Sequence, residues 1–357
     1  MKDPPCRAAL QDGKAPENGG DLKHGLISAI LSPIPFSVWR GLTRANPVIF
    51  YYHMVSDADV PHVRHLYRYK NVRQFQADID FIAKHFTPVT LSDMIAYVKG
   101  DLPLPEQAFM LSFDDGFREH HDIIAPILLK KGVPATFFIN SAFIDNRALC
   151  FLQKASILAE RLGKYRDHSP RESLFDGTLL EGNSVEEAKT FILSIPYESR
   201  DCLDTIAARL DVDFDAYLRN CRPYMTTAQV MSLLEQGFSL GAHSIDHPLY
   251  SELELEEQLR QTMESVRFVR DTFGLTYSAF AFPHKDFGVP KEFFHRLQNA
   301  GCVDISFGTA GMIPDEITSN LQRCSMEKPP LPADKIIVLE YARKLRRIAK
   351  GMDRIER

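Results

Sequence analysis

The sequence has no cysteine framework. Its six cysteines are scattered along 357 residues, with no CxxC pair and no regular spacing. Proteins that depend on disulfides in an oxidising compartment carry recognisable sets of cysteines at characteristic spacings. We therefore expect free thiols in a reducing compartment.

The sequence also lacks a strong excess of charge of one sign. The 42 basic residues are opposed by 47 acidic ones, which gives a net charge of -5. Nucleic-acid-binding domains are marked by a basic patch or a high isoelectric point. The charge balance therefore gives no reason to expect a nucleic-acid partner.

No export signal and no long apolar run are evident. The first 21 residues are polar and contain several acids, so they lack the apolar region of a signal peptide. Residues 25–39 are apolar, but Pro33 and Pro35 interrupt a stretch already shorter than the roughly 20 residues of a membrane span. We expect a cytoplasmic protein in which this stretch is a core or interfacial helix, with peripheral contact with the inner membrane as an alternative.

What is present is typical of a soluble globular protein, with 45% apolar and 25% charged residues. Apolar runs that favour strands occur at 47–53, 108–113, 134–140, 238–242, 279–282 and 303–307, and helical patterns lie between them. Such alternation indicates right-handed βαβ units and a parallel sheet. The length also fits an α/β barrel of roughly 250 residues with an insertion.

The pattern changes between residues 141 and 222, where helical stretches replace the alternation. We expect a helical insertion there, within a barrel that spans 47–327. Residues 1–46 are predicted to be a leader and a helix. Residues 328–357 are predicted to be a basic C-terminal helix that is solvated or, as an alternative, lies on an anionic membrane surface.

Paired carboxylates follow the predicted strand at 108–113, in the run Asp114-Asp115-Gly116. The C-terminal end of a barrel strand is where such folds place active sites. Adjacent acids repel, so a positive partner such as a metal is expected beside them. A plain turn is the alternative, because Asp-Gly is a common turn dipeptide.

Two histidines, His243 and His247, follow the predicted strand at 238–242, and Pro248 ends any regular helix there. Together with one carboxylate they would leave the fourth position of a tetrahedral zinc open, as in catalytic sites. The second carboxylate could then take a proton from water. Satisfied structural histidines are the alternative.

These motifs resemble those of the polysaccharide deacetylases (the NodB-homology proteins of carbohydrate esterase family 4). The run of residues 112–116 is similar to the family's TFDDG motif, and residues 243–248 are similar to its H(S/T)xxHP motif. The resemblance covers roughly residues 47–140 and 222–327. It implies a distorted (β/α)7-8 barrel, Asp114 as the general base, and Asp115, His243 and His247 as ligands of a divalent metal. Zinc is the expected ion, with nickel, cobalt or manganese as alternatives.

Two family motifs are altered. Ala281 stands where an arginine normally steadies the base, so residues 280–286 resemble a subgroup with a FAYPYG-like segment; Arg323 is a candidate for the missing cation. The expected C-terminal histidine is absent from 321–324. His53, in a Tyr-His segment that resembles the circularly permuted poly-N-acetylglucosamine deacetylases, is our candidate for the catalytic acid, with a packed strand-end histidine as the alternative.

Other side chains near these strand ends could contact substrate, with a structural role as the favoured alternative for each polar one. The candidates are Ser244, Asp246, Pro283, His284, Asp286, Arg323 and Glu327.

The resemblance implies metal-dependent removal of an N-acetyl group from an amino sugar in a glycan, glycolipid or saccharide precursor of the cell envelope. The expected partner is a saccharide or a lipid-linked saccharide. Two alternatives are an amide hydrolase for a formylated or non-sugar substrate and a non-catalytic glycan-binding protein with the same fold. The oligomeric state is not predicted.

Overall fold

The computed structural model describes residues 34–164, 184–328 and 330–357. The predicted leader therefore lies mostly outside the described residues. The strands are β1 (Val48–Tyr52), β2 (Thr87–Pro88), β3 (Ala108–Phe113), β4 (Thr136–Ile139), β5 (Ser239–Ala242), β6 (Ala279–Ala281), β7 (Ile305–Gly308), β8 (Asn320–Gln322) and β9 (Cys324–Ser325). The α-helices are α1 (Phe36–Thr43), α2 (Val72–His85), α3 (Leu91–Lys99), α4 (Ala125–Lys131), α5 (Phe151–Gly163), α6 (Val185–Ser194), α7 (Cys202–Arg209), α8 (Phe214–Cys221), α9 (Thr227–Glu235), α10 (Leu255–Phe273), α11 (Lys291–Ala300) and α12 (Ala333–Ile348).

The chain forms two compact units. Among the described residues, the smaller unit takes 58–68 together with 146–164 and 184–222, and it contains α5 to α8. The larger unit takes 34–57, 69–145, 223–328 and 330–357 and contains the sheet. The division into leader, barrel and C-terminal helix drawn from the sequence remains a proposal.

The sheet is parallel and closes nearly on itself. Its strand order is β8, β7, β6, β5, β4, β3, β1, β9, and β2 pairs with β3. Only Arg323 separates β8 from β9, so one continuous segment pairs with β7 on one side and with β1 on the other. The predicted (β/α)7-8 barrel class is confirmed.

The core explains why the strand-forming runs are apolar at every position. All residues of β1, β3 and β4 are buried, as expected when both faces of a parallel sheet are covered. In β3, Phe109, Leu111 and Phe113 join the large cluster that includes the surrounding helices. Ala108 and Met110 point the other way, into a second cluster with side chains from β1, β4, β6 and β7.

The segment that closes the sheet was not predicted as a strand. β8 and β9 are only three and two residues long, and Asn320, Gln322 and Arg323 interrupt any apolar run. No local pattern therefore marks them as strands, although both pair with their neighbours in the barrel.

Three further expectations can be compared with the structure. The helix α12 is not simply solvated, because Ile336, Ile337 and Tyr341 are part of the core.

In the described parts of the chain, no helix has the length and apolar character needed to cross a membrane. Cys302 and Cys324 are free thiols, but Cys202 is disulfide-bonded, so the expectation of free thiols is wrong at that position.

Gly241 in β5 is required by close packing two residues before His243. A Cβ at this position would overlap the Phe138 ring and lie 3.1 Å from the carbonyl oxygen of Ala279. We expect Gly241→Ala to lower the free energy of unfolding by about 1–3 kcal/mol, the usual cost of overpacking, in urea titrations.

Gly41→Ala is the matched control. Gly41 lies in α1, no heavy atom lies within 4 Å of its added Cβ, and alanine favours a helix. Unchanged stability of Gly241→Ala, or equal losses in the two variants, would contradict the packing argument.

Candidate active site

The predicted site residues follow the C-terminal ends of strands that are close together in the sheet. His53 follows β1, Asp114 and Asp115 follow β3, and His243 follows β5. Because all these strands are parallel, their C-terminal ends meet at one end of the barrel.

Asp115, His243 and His247 form a compact group. Oδ1 of Asp115 lies 3.2 Å from Nε2 of His247 and 3.5 Å from Nε2 of His243. One ligand atom from each of the three residues lies within 4.8 Å of the others, and all three side chains are buried. The two histidines and the carboxylate predicted from the sequence are therefore brought together.

The chemistry of this group fits a divalent metal. Oδ1 of Asp115 and Nε2 of His243 are buried and have no hydrogen-bond partner, which is costly unless something else satisfies them. Nδ1 of His243 is 2.8 Å from the carbonyl oxygen of Ala281, which can only accept, so Nδ1 carries the proton and Nε2 presents its lone pair. Two imidazoles and one carboxylate form a common donor set of catalytic zinc sites.

The backbone around this group adopts unusual conformations. The φ angles of Asp115, Ser244, His247 and His284 are 76°, 66°, 67° and 56°. A non-glycine residue in this region costs on the order of 1–3 kcal/mol, and such residues cluster at functional sites. The chain holds the candidate ligands in place despite this cost.

Ser244 and Asn140 shape the segment that carries the two histidines. Oγ of Ser244 accepts a hydrogen bond of 3.0 Å from the backbone N–H of His247. The side-chain amide of Asn140 donates to the carbonyl of His243. Ser244 is fully buried, so its hydroxyl positions a candidate ligand, and the predicted substrate contact does not fit this placement.

Asp114 is paired with Arg323. The guanidinium donates to both carboxylate oxygens, at 2.7 and 2.8 Å, and also to Ser112 Oγ at 3.2 Å. Burial would raise the pKa of Asp114, but Arg323 outweighs it and lowers the pKa below the ordinary value. Arg323 is itself fully buried and lies over the Tyr51 ring. Its pairing with Asp114 is the contact expected of the missing cation, and its burial does not fit the alternative prediction of a substrate contact.

His53 is paired with Glu327. Nδ1 of His53 lies 2.5 Å from one carboxylate oxygen, while the other oxygen accepts from the backbone N–H groups of His53 and Met54 at 2.7 and 2.8 Å. Burial alone would lower the pKa of His53, but the Glu327 carboxylate outweighs it and raises the pKa to about 9. The His53 side chain keeps 23% of its surface exposed, so a protonated imidazole remains accessible.

The segment after β6 is divided between the site and the protein interior. Pro283 and Asp286 are buried, whereas His284 is exposed and its ring centroid lies 4.6 Å from that of His247. The Asp286 carboxylate accepts from the side-chain amides of Asn320 and Gln322 at 2.9 and 2.7 Å. Among these candidates for substrate contact, His284 has the accessible side chain beside a candidate ligand.

Three residues of the site region gave little or no signal in the sequence. Asn140 and Arg357, which pairs with Asp286, stand in no motif. Glu327 was one of several candidate sugar contacts, and its bonds to His53 assign it to that imidazole instead. Asp246, another candidate for substrate contact, accepts a hydrogen bond of 2.8 Å from the side-chain amide of Gln261.

Comparisons with known proteins bear on the whole arrangement. The family model described as polysaccharide deacetylase matches residues 101–302. No curated protein sequence matches the chain.

Solved structures with similar folds include three bacterial proteins. The deacetylase PplD of Streptococcus pyogenes, in complex with acetate, has a TM-score of 0.51 and 11% identity over 81% of this chain and 96% of that one. IcaB from Ammonifex degensii has a TM-score of 0.49 and 14% identity over 82% and 95%. A de-N-acetylase from Aggregatibacter actinomycetemcomitans has a TM-score of 0.49 and 13% identity over 82% and 99%. At 11% identity, the likeness to PplD shows a similar fold and nothing more.

Zinc binding tests the three-residue group directly. We expect the metal-stripped protein to bind one zinc ion, and His243→Ala to weaken binding by more than the roughly 10- to 100-fold that losing an outer-shell partner costs, because a ligand itself is removed. Isothermal titration with zinc measures both affinities.

The control is His295→Ala, which removes an exposed histidine on α11. Equal zinc affinity of His243→Ala and the control would exclude the proposed ligand set.

Proposed function

The chain belongs to the polysaccharide deacetylase family and is a hydrolase of amide C–N bonds, and from this premise we propose that it removes the N-acetyl group of an amino sugar in a metal-dependent reaction. Asp115, His243 and His247 would hold the metal. Zinc is the proposed ion because the donor set consists of two imidazoles and one carboxylate.

The observation that carries the proposal is the pairing of two proton-transfer groups around the same centre. Asp114, next in the chain to the candidate ligand Asp115, is held by a guanidinium. His53 is held by a carboxylate, and its charge acts on both Asp114 and Asp115. A site that combines a carboxylate kept ionised with an imidazole kept protonated has both a base and an acid.

The residues can then be given roles in amide hydrolysis. A divalent ion held at this centre would supply Lewis acidity, which activates water and polarises an acyl carbonyl. Asp114 accepts a proton from the attacking water, and Arg323 keeps that carboxylate oriented. The water oxygen bonds to the carbonyl carbon, the C–N bond breaks, and His53 protonates the departing amine. The products are acetate and a free amino sugar.

The substrate and its place in the cell are proposed more broadly. We propose a saccharide of the cell envelope, free or lipid-linked, as the substrate, and a cytoplasmic protein that can contact the inner membrane at its surface. Zinc-loaded protein incubated with acetyl- and formyl-amino sugars and an acetylated peptide separates the reaction classes.

Acetate release from the acetyl sugars, lost on stripping the metal and restored by zinc, is the expected result. Formate release or peptide hydrolysis alone would favour a different amide hydrolase. Absence of release from all of them with zinc bound would point to a glycan-binding protein.

Asp114→Asn tests the base. The amide cannot accept the proton from water, so we expect turnover of the acetyl sugar to fall by about 10²–10⁴-fold, while zinc affinity is retained. Asp101→Asn, which changes an exposed carboxylate, is the control. Retained turnover in Asp114→Asn would remove the base assignment.

Glu327→Gln tests the acid through its pH dependence. His53 must be protonated to act, so activity is present below its pKa of about 9 and lost as the pH rises through it. Removing the Glu327 charge lowers that pKa, while the amide oxygen can still accept from the backbone of residues 53 and 54. We therefore expect the basic limb of the kcat/KM profile to move to lower pH.

The exposed Glu292→Gln is the control for this shift. An unmoved basic limb in Glu327→Gln, or near-normal turnover in His53→Ala, would exclude His53 as the acid.

A further inference from the structure

The loop that follows β6, residues 283–289, carries an unusually exposed aromatic side chain. Phe287 is 76% exposed, more than any other large hydrophobic side chain among the residues that the structure describes. Single exposed apolar residues are common on protein surfaces and need no explanation by themselves. What distinguishes Phe287 is that the loop around it is held in place on two sides.

One side of this loop is attached to the candidate active site. The His284 ring packs at 4.6 Å from that of His247, and the His284 carbonyl accepts a hydrogen bond of 2.9 Å from Thr309 Oγ1. A Cβ added to Gly288 would come within 3.1 Å of Ser251, so the loop also lies against the segment that follows the two histidines. Phe287 follows His284 by three residues, at most about 11 Å along the chain.

On its other side, the loop is held by a buried cluster of charged side chains. The Arg357 guanidinium pairs with the carboxylates of Asp286 and Asp315 and donates to the Asp286 carbonyl. Gly308 leaves the space that the Asp286 carboxyl fills, because a Cβ there would overlap it.

Two buried carboxylates repel each other unless a cation lies between them. Removing one partner of such a group leaves an uncompensated charge, so Arg357 holds Asp286 in one position. The residue next to the exposed Phe287 is therefore fixed. A ring presented on a fixed backbone loses little conformational freedom when it binds a ligand.

We infer that residues 283–289 form a sugar-binding rim of the active site, in which Phe287 stacks on a pyranose ring adjoining the one that is deacetylated. Arg357 is a positioning residue that holds this rim through Asp286. The inference rests on the proposed function for the identity of the sugar. The C–H groups on one face of a pyranose match an aromatic face, and large, rigid aromatic side chains give contact area at low entropic cost.

The test separates ring stacking from catalysis. Binding of a tetramer and of a monomer of N-acetylglucosamine is measured by calorimetry on zinc-loaded protein that carries Asp114→Asn, which prevents turnover. We expect Phe287→Ala to weaken tetramer binding about three- to tenfold and to leave monomer and zinc affinities unchanged. Phe287→Tyr should restore tetramer binding, and Leu102→Ala, another exposed apolar residue, should have no effect.

Arg357 is tested by kinetics on otherwise unaltered protein. We expect Arg357→Ala to raise KM for the tetramer several-fold while kcat for the monomer stays within twofold. Arg357→Lys should recover part of the loss, because it restores the charge but not the forked geometry. The exposed Arg354→Ala is the control, and if Arg357→Ala does not fold, Arg357→Lys carries the comparison.

Different experimental results would contradict the sugar-binding rim and the proposed function. Acetate release by the wild type with unchanged tetramer affinity in Phe287→Ala would overturn the rim and leave the function standing. Tetramer binding that depends on Phe287 in a protein that releases no acetate would overturn the function and leave the rim. Phe287→Ala that weakens binding only to anionic lipid vesicles, and not to the tetramer, would overturn the rim in favour of a membrane contact.

Discussion

The ion pair between Arg323 and Asp114 is the interaction on which the proposed chemistry depends. Arg323 lies between β8 and β9, in the segment that closes the sheet, and its guanidinium reaches the carboxylate that follows β3. The segment that closes the barrel therefore also holds the proposed base. Because both groups are buried, neither could remain charged there without the other.

The same closure supplies the partner of the proposed acid. Glu327 follows β9 and His53 follows β1, the strand with which β9 pairs. The seam between the first and last strands thus provides an arginine for the carboxylate and a carboxylate for the imidazole. The three candidate ligands follow β3 and β5 instead, and the backbone is left-handed at Asp115 and His247, whose side chains lie close together.

Much of the barrel and most of the candidate ligand set could be predicted from local patterns. The run at Ala108–Phe113 is buried throughout and forms β3 with the predicted bounds, because a strand covered on both faces must be apolar at each position. His243 and His247 were identified as candidate ligands by residue type and by their position after a strand, whereas the choice of Asp115 over Asp114 came from the family resemblance. Parallel pairing makes the convergence of these residues a consequence of the fold. β8 and β9 were missed because they are too short and too polar to show any periodicity.

The sequence alone determined that this chain forms parallel βα units with two carboxylates and two histidines at their ends, since those features are written in neighbouring residues. It proposed Arg323 and His53 for the altered motifs but could not say what either residue contacts. Only the tertiary structure decided that Arg323 faces Asp114, that Glu327 holds His53, and that Arg357 fixes the loop beside His284. The physical reason is that these contacts join residues far apart in the chain, and barrel closure, not local pattern, sets their distances.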